Sequence, residues 1–251
     1  MSDPTYDFGG RHVLVTGGTR GLGRIIAGAF ARSGARVTVT GTQSLTSAYD
    51  ASLAAFAYQR LELTDHDSIV RVAHQVGPLD ILVNAAGARI PTSLEMHDRE
   101  FVSQAIRLGL IGPSHLANRL RWRLAESDMR GGGVVVNTHS LRRWYEISHG
   151  AAAAHHEMVA LNTRLGTSWV RTGVRVNGVA STAPLQRQDP LRVEIDRKAG
   201  PLLTRPRTVQ SGTLQDVAMA ALFLASTGAA YITGQTLMVN GSGLGGARRS
   251  H

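Results

Sequence analysis

A glycine-rich segment is the strongest candidate for chemistry in this chain. Residues 16–23 read Thr-Gly-Gly-Thr-Arg-Gly-Leu-Gly, directly after the apolar run 13–15 and directly before a stretch with helical spacing. Glycine accepts positive φ and lets a backbone approach a pyrophosphate, while a helix start presents free N–H groups and partial positive charge. The segment therefore predicts a nucleotide phosphate site. Its predicted contact residues are Gly17, Thr19, Arg20, Gly21, Leu22 and Gly23.

Three further segments have the order and spacing of a known family. Residues 84–87 read Asn-Ala-Ala-Gly, residues 134–140 read VVVNTHS, and residues 231–241 read YITGQTLMVNG. With the glycine-rich segment they resemble the short-chain dehydrogenase/reductase family, in particular its ketoacyl carrier-protein reductases. The resemblance implies a Rossmann-type, doubly wound, seven-stranded parallel sheet between two helical layers. It also implies that adenosine lies against Glu62, Leu63, Asn84, Ala85 and Gly87.

The end of the predicted second strand favours NADP(H) over NAD(H). The segment Thr40-Gly41-Thr42 contains no Asp or Glu to hold both ribose hydroxyls, and such an acid would repel a 2′-phosphate. Arg20 lies where similar reductases contact that phosphate, so the resemblance implies a phosphate subsite that includes Arg20 and Thr42. NAD(H), or no nucleotide at all, is the alternative.

The residues that carry the family's reaction are missing. In the family, a Ser at the end of the fifth strand is followed by a Tyr and a Lys four residues apart, and the Tyr protonates the carbonyl. Ser140 matches, but counting thirteen and seventeen residues onward reaches Ala153 and Glu157. Losing a positioned acid typically removes a factor of ~10²–10⁴ in rate.

Other groups are candidates for the lost role. On the count from Ser140, His156 shares the cleft side of the helix with Glu157, and His155 points away. Tyr145 lies in the loop after Ser140, which lines the substrate pocket in the family. The predicted catalytic residues are Ser140, Tyr145, His156 and Glu157.

Three functions follow from this pattern. The first is an NADP(H)-linked oxidoreductase with a rearranged proton donor, which is the prediction. The second is a non-redox dehydratase, cyclase or isomerase, with Glu157 or His156 as base and Ser140 as oxyanion donor. The third is a non-catalytic paralogue that binds nucleotide or scaffolds a partner. Retention of Ser140 and of the polar residues around it favours an enzyme.

Alternating apolar and amphipathic runs must position these residues, and they predict βαβ units. The predicted strands are 12–16, 36–40, 58–63, 81–84, 134–137, 174–179 and 236–239. The predicted helices are 21–32, 66–75, 98–124, 151–171 and 213–225. Gly109, Gly112 and Pro113 interrupt the long third helix. Residues 184–212 contain four prolines and no period, so they are predicted to form a substrate flap.

Length and composition limit the remaining possibilities. The 251 residues predict one domain, 1–251. The absence of cysteine excludes disulfides and Cys-ligated metal, and no metal site is predicted. No leader segment and no apolar run of ~20 residues is visible, which predicts a cytoplasmic protein without a membrane span.

The charge of +9 raises the question of an anionic partner. The arginines are scattered and no basic helix alternates with aromatic residues, which argues against nucleic acid. The flap carries six basic and three acidic side chains within 185–210, and residues 244–251 form a basic tail. A small or carrier-bound anionic substrate is therefore predicted. The resemblance also implies a homotetramer or homodimer packed through the helices 98–124 and 151–171.

Overall fold

Seven strands form one parallel sheet in the computed structural model, which describes residues 6–49, 52–87, 103, 104, 106–140, 150–181 and 213–239. The strands follow the order β3-β2-β1-β4-β5-β6-β7 across the sheet, which confirms the predicted doubly wound architecture. Their bounds are β1 His12–Thr16, β2 Arg36–Gly41, β3 Ala57–Arg60, β4 Ile81–Asn84, β5 Gly133–Ser140, β6 Val174–Ser181 and β7 Thr236–Met238.

Five α-helices connect the strands within the described part of the chain. They are α1 Gly21–Arg32, α2 His66–Gln75, α3 Gly112–Ala125, α4 Gly150–Trp169 and α5 Leu214–Ala225. Short polar side chains fix two of their starts. Asp65 accepts a hydrogen bond from the Asp67 backbone N–H at 3.0 Å before α2, and Thr213 with Asp216 forms a capping box before α5.

Two apolar layers enclose the sheet because alternate strand residues point to opposite sides. Val13 and Val15 of β1 pack with Phe30 of α1 on one side, in the layer that α5 completes. Leu14 packs on the other side with Leu120 of α3 and Trp169 of α4. This burial on both sides explains why the strands are continuous apolar runs.

Several predicted bounds differ from the structure, and two of these differences have a clear local cause. The third strand ends at Arg60, not at residue 63, because the Glu62 backbone N–H donates to the Ser68 hydroxyl at 3.0 Å instead of to the sheet. The helix predicted over 98–124 is interrupted by a π-helical turn at Arg107–Ile111 and continues as a regular α-helix from Gly112. Pro113 has no backbone N–H, so it cannot bond the carbonyl of Gly109 in the α-helical pattern.

The strand order reverses between β1 and β4, since β2 lies on one side of β1 and β4 on the other. In open α/β sheets, ligands bind beyond the carboxyl ends of the strands at such a switch point. The glycine-rich segment and residues 84–87 both follow strands at this point. The predicted flap 184–212 and the tail 244–251 lie outside the described residues.

Candidate functional site

The glycine-rich loop joins the end of β1 to the start of α1. Gly17 has φ of +65°, and a Cβ there would lie 2.7 Å from the Ala86 Cα. A Cβ on Gly23 would overlap the carbonyl oxygen of Gly17. Both positions therefore require glycine, one for its conformation and both for close contact between backbone segments. The turn is the tight strand-to-helix connection that a pyrophosphate site needs.

The loop after β4 is fastened to the loop after β1. The Thr16 hydroxyl accepts hydrogen bonds from the backbone N–H groups of Ala85 and Ala86, at 3.1 and 3.2 Å. From the next strand, the Thr138 hydroxyl donates to the Asn84 carbonyl at 3.1 Å. These bonds bring residues 17–23 and 84–87 to one edge of the sheet. The sequence predicts that a dinucleotide binds at this edge, across both loops.

The adenosine end of this edge is formed by β2, β3 and the turn after β3. Thr19 is buried and contacts the side of Gly41, whereas Arg20 is exposed at the start of α1 with no capping hydrogen bond from its side chain. Leu63 is buried, and Glu62 accepts a hydrogen bond from the Thr64 hydroxyl at 3.0 Å. The predicted cofactor residues thus lie on consecutive strand ends.

A row of buried amides runs under the site from β4 to β7. The amide nitrogen of Asn84 donates to Asn137 at 2.8 Å, Asn137 donates to Asn162 at 2.7 Å, and Asn162 donates to the Thr236 hydroxyl at 3.0 Å. Within the described structure the Asn84 side-chain oxygen is buried without a hydrogen-bond partner. An acceptor in this state fits a ligand or water that brings a donor.

A cavity of about 10 Å³ lies between the π-helical turn and α4, which is room for one water molecule. Gly109 lines it from the π-helical turn, and the amides of Asn137 and Asn162 line it from the sheet and from α4. The amides that line this space therefore come from β5 and α4, and Ser114 of α3 adds a hydroxyl-bearing residue.

The predicted catalytic residue Ser140 lies at the edge of the sheet where β5 and β6 end. Ser140 is the last residue of β5 and pairs in register with Ser181, the last residue of β6. The Ser181 hydroxyl is buried and without a hydrogen-bond partner among the described residues. The side chain of Ser140 and the whole of Tyr145 lie outside the described residues. Two neighbouring strands thus end in hydroxyl-bearing residues at this edge.

The rotation of α4 differs from the one expected from the count. Its buried residues are Met158, Asn162, Gly166 and Trp169, which define the side that meets the sheet. Going back from Asn162 by seven residues, or two turns, reaches position 155 on that same side. Positions 153 and 157 fall on the opposite side. By this spacing position 155 lies on the sheet side, whereas the count from Ser140 turned it away from the cleft. Which of these positions faces the cleft stays a prediction.

Glu157 and His156 are exposed. A Glu157 carboxylate oxygen lies 3.7 Å from an Arg164 guanidinium nitrogen two turns along the helix, and both side chains are more than 60 % exposed, at 64 % and 69 %. This pair lies on the solvent side of α4. The geometry thus gives Glu157 a surface partner, and its role as a base stays a prediction.

No alternative alignment of this helix with the family supplies a Tyr and a Lys. The sequence contains no Tyr and no Lys between residues 146 and 197, a stretch that includes all of α4. The helix thus offers neither residue type to the site, and a rearranged proton donor stays a prediction.

Sequence reasoning missed several polar residues that the fold brings to the site: Tyr49, Arg60, Asn137, Asn162 and Ser181. Asn137 interrupts an apolar strand, and Asn162 lies on the buried side of α4, so both carried a signal in their polarity. Tyr49 and Arg60 carried none, because their positions depend on the pairing of β2 with β3.

Two searches of the described residues were negative. No group of three or more His, Asp or Glu side chains in the described ranges is arranged to hold a metal ion. No helix in this part of the chain combines the length and the apolar character needed to cross a membrane.

The chain is similar to a large set of known proteins. The profile of the family described as enoyl-(acyl carrier protein) reductase matches residues 17–243. The 2-dehydro-3-deoxy-D-gluconate 5-dehydrogenase of Formosa agariphila is 28% identical, over 96% of this chain and 95% of its own length. The D-threitol dehydrogenase of Mycolicibacterium smegmatis is 30% identical, over 94% of each chain.

A solved structure and a further sequence relative match the chain over a similar length. A structure of a short chain dehydrogenase/reductase family protein superposes with a TM-score of 0.72 at 27% identity, covering 93% of this chain and 97% of the other. The 7alpha-hydroxysteroid dehydrogenase of Escherichia coli is 29% identical over 94% of each chain. These relatives match almost the full length, so the similarity includes both ends of the sheet.

Proposed function

Because the chain belongs to the short-chain dehydrogenase/reductase family, we propose that it transfers hydride between NADP(H) and a small or carrier-bound substrate, reducing a carbonyl or oxidising an alcohol. Family membership makes it an NAD(P)-dependent oxidoreductase. The choice of NADP(H), the substrate and the proton donor are the proposal. The observation that carries it is the pair of loops at the ends of β1 and β4, which the Thr16 hydroxyl fastens together.

The described residues fit a dinucleotide. Gly17, Thr19, Gly21, Leu22 and Gly23 surround the start of α1, where free N–H groups face the pyrophosphate. Asn84, Ala85 and Gly87 follow β4 under the adenosine ribose. The nicotinamide, when bound, supplies or accepts the hydride.

We assign the binding of the 2′-phosphate of the adenosine ribose to two residues. Arg20 at the start of α1 supplies positive charge, and Thr42 directly after β2 supplies a hydroxyl and a backbone N–H. No carboxylate in residues 40–44 competes for the ribose hydroxyls, which supports NADP(H) over NAD(H).

The substrate oxygen is assigned to Ser140, and its proton comes from a group other than a Tyr on α4. Tyr145, His156 and a water held at Ser140 are the donors that the sequence offers, and the rotation of α4 adds His155 and favours it over the exposed His156. In reduction, the donor gives its proton to the carbonyl oxygen as hydride reaches the carbon. In oxidation, the same group accepts the proton back.

A hydroxyl-bearing or carbonyl-bearing small molecule is the proposed substrate class. The relatives named above act on a sugar acid, a polyol and a steroid, to judge by their names. The net charge of +9 and the basic residues of 185–210 favour an anionic member of this class. A cytoplasmic homotetramer or homodimer is part of the same proposal.

The test is nucleotide binding, followed by turnover. NADPH and NADH are titrated against the purified protein by fluorescence, and a panel of ketones and alcohols is then followed by nicotinamide absorbance. We expect NADPH to bind more tightly than NADH and at least one panel member to be turned over. A protein that binds neither nucleotide would contradict the proposal.

Two glycines of α1 give a matched pair of variants. Gly23→Ala places a Cβ against the Gly17 carbonyl and is expected to weaken NADPH binding by about tenfold or more. Gly28→Ala, one helical turn and a half further along α1, has only an Arg32 guanidinium nitrogen nearby, at 3.3 Å, and should bind as the parent does. Equal affinities in both variants would place the nucleotide elsewhere.

The other two functions are separate outcomes of these measurements. Turnover that survives removal of all nucleotide would favour the non-redox enzyme. Nucleotide binding without turnover of any panel member, together with co-purification of an intact relative, would favour the non-catalytic paralogue.

A further inference from the structure

Arg60 lies at the end of β3, beside the residue at which the adenosine ribose is expected. It pairs in register with Gly41, the last residue of β2. The Nε of Arg60 donates to the Thr42 carbonyl oxygen at 3.0 Å. This bond holds the guanidinium over the turn that follows β2. Thr42 is the residue assigned to the phosphate-bearing ribose, so the charge of Arg60 lies at the same subsite.

Two phenols fix the turn that Arg60 contacts. The Gln43 backbone N–H donates to the Tyr49 hydroxyl at 3.0 Å, and the Tyr58 hydroxyl donates to the Gln43 carbonyl. The two hydroxyl oxygens lie 3.2 Å apart. The loop that carries Tyr49 is itself tied to α1, because Arg24 donates to the Ser52 carbonyl at 2.7 Å. The turn is thus preorganised by side chains that come from both flanking segments.

Tyr49 also limits the size of the side chain that fits at Gly41, the last residue of β2. A Cβ on Gly41 would overlap the Tyr49 hydroxyl oxygen, so a larger side chain at position 41 would require Tyr49 to move from the Gln43 turn. The acidic side chain that would recognise a bare ribose through its two hydroxyls is absent from residues 40–42. The neutral Tyr49 hydroxyl lies beside this strand end instead.

The positive charge at this edge is not neutralised. No carboxylate in the described part of the chain forms an ion pair with Arg20 or Arg60. Within the same ranges only the Nε of Arg60 has a hydrogen bond, so both Nη groups remain as donors. A guanidinium with two free N–H groups on one side matches the oxygens of a phosphate in a bidentate manner.

We propose that Arg60 is a specificity-determining residue that binds the 2′-phosphate of NADP(H) together with Arg20, on a turn clamped by Tyr49 and Tyr58. The inference rests on the proposed function. It adds a cation from β3 to the one at the start of α1, and it attributes discrimination against NAD(H) to this pair of arginines. Arg60 acts on the adenosine half alone and takes no part in the hydride transfer.

The experiment uses the two adenosine halves of the cofactors, which contain no nicotinamide. Adenosine 2′,5′-bisphosphate and adenosine 5′-phosphate are titrated by calorimetry against the parent protein and against Arg60→Met. We expect the parent to prefer the bisphosphate, and Arg60→Met to lower that preference by about tenfold. Affinity for the monophosphate should stay within about twofold of the parent. Because this loss is electrostatic, it should shrink as salt is raised.

Arg36 provides the matched control. It is an exposed arginine at the opposite end of β2, so Arg36→Met removes one charge without touching the turn. Its preference for the bisphosphate should equal that of the parent. Arg60→Lys keeps the charge but loses the planar fork, and it should retain an intermediate preference. It also keeps the test valid should Arg60→Met fold poorly.

The outcomes separate this inference from the function it rests on. A parent that prefers the bisphosphate, with an Arg60→Met variant that keeps the whole preference, would overturn the role of Arg60 alone. A parent that binds neither probe, or binds both equally, would overturn the NADP(H) assignment and the role of Arg60 with it.

Discussion

At the scale of single residues, two adjacent histidines near the start of α4 are candidates to face the reacting atoms. The buried residues Met158, Asn162 and Trp169 define the side of the helix that meets the sheet. Position 155 lies on that side near the start of the helix, and position 156 lies about 100° around the axis from it. The adjacent histidines therefore provide an internal comparison of two orientations.

We expect His155→Ala to lower kcat/KM by a factor of ~10²–10⁴ and to remove one limb of the pH–rate profile, as the loss of a positioned acid does. His156→Ala, on the exposed side, should change kcat/KM by less than about threefold. The measurement is the pH dependence of kcat/KM for both variants with a substrate from the panel. Full activity in His155→Ala would show that the proton comes from another group, such as Tyr145.

Tyr58 gives a prediction about alkaline stability. Burial, and after it the hydrogen bond with Tyr49, raises the pKa of the Tyr58 phenol above its usual value. The unfolded phenol ionises first, so this contribution to stability is complete below about pH 10 and is lost as the pH rises above it toward the folded pKa.

Urea unfolding checks this at two pH values. We expect Tyr58→Phe to be less stable than the parent at about pH 8, since it loses the bond to Gln43, and the gap to narrow at about pH 10.5. Tyr231→Phe removes a fully exposed phenol and should leave the midpoint at about pH 8 unchanged. A gap that is equal at both pH values would contradict the assigned pKa direction.

At the scale of elements, the end of α5 depends on one buried cation. Arg175 on β6 is only 4% exposed, and its guanidinium donates to the carbonyls of Gly131, Leu224 and Ala229 at 3.1, 2.8 and 2.9 Å. Leu224 belongs to the last turn of α5, where carbonyls lack helical partners. Burial lowers the pKa of Arg175 to about 10, which still leaves it charged at neutral pH.

Arg175→Met should therefore destabilise the protein by about 3 kcal/mol or more, because several buried carbonyls lose their donor at once. The measurement is the free energy of unfolding in urea. Arg171→Met removes an exposed arginine a few residues earlier and should cost less than about 0.5 kcal/mol. Equal stability of both variants would mean that the carbonyls find other donors.

Elements with one strong local signal were predictable, and those defined by distant contacts were not. The apolar runs predicted the first and last residues of β1 and β4 correctly, because both strands are buried on both sides of the sheet. The rotation of α4 could not be derived from a count across the loop after Ser140, because the residues that the helix buries against the sheet define it. The amide row was not foreseen, because it joins residues 53, 25 and 74 positions apart in the chain.

At the scale of the whole molecule, an apolar side chain on α3 bears on the predicted assembly. Trp122 is 61% exposed, and the Arg121 guanidinium lies 4.4 Å from its ring centroid. Exposed aromatic groups flanked by charge are typical of the centres of interfaces between subunits. This is one of the two helices through which the resemblance implies that subunits pack.

We expect the protein to elute as a dimer or tetramer, and Trp122→Glu to shift it toward the monomer by placing a charge in the contact. Light scattering coupled to gel filtration measures the mass directly. Leu45→Glu changes a side chain that is 68% exposed in the loop after β2, away from α3, and should keep the parent's mass. A monomeric parent would contradict the assembly.

The hydrogen bonds of the buried amide row all run in the same direction, and this direction determines which groups can bond to its free end. Each nitrogen in the row points toward β7, so the polarity is the same at every step from Asn84 to Thr236. The β4 end of the row is therefore the Asn84 oxygen, which has no hydrogen-bond partner among the described residues. A group that satisfies this buried oxygen must carry hydrogen, as water, a hydroxyl, an ammonium or a carboxamide N–H₂ does, whereas a carboxylate or an ether oxygen would be repelled.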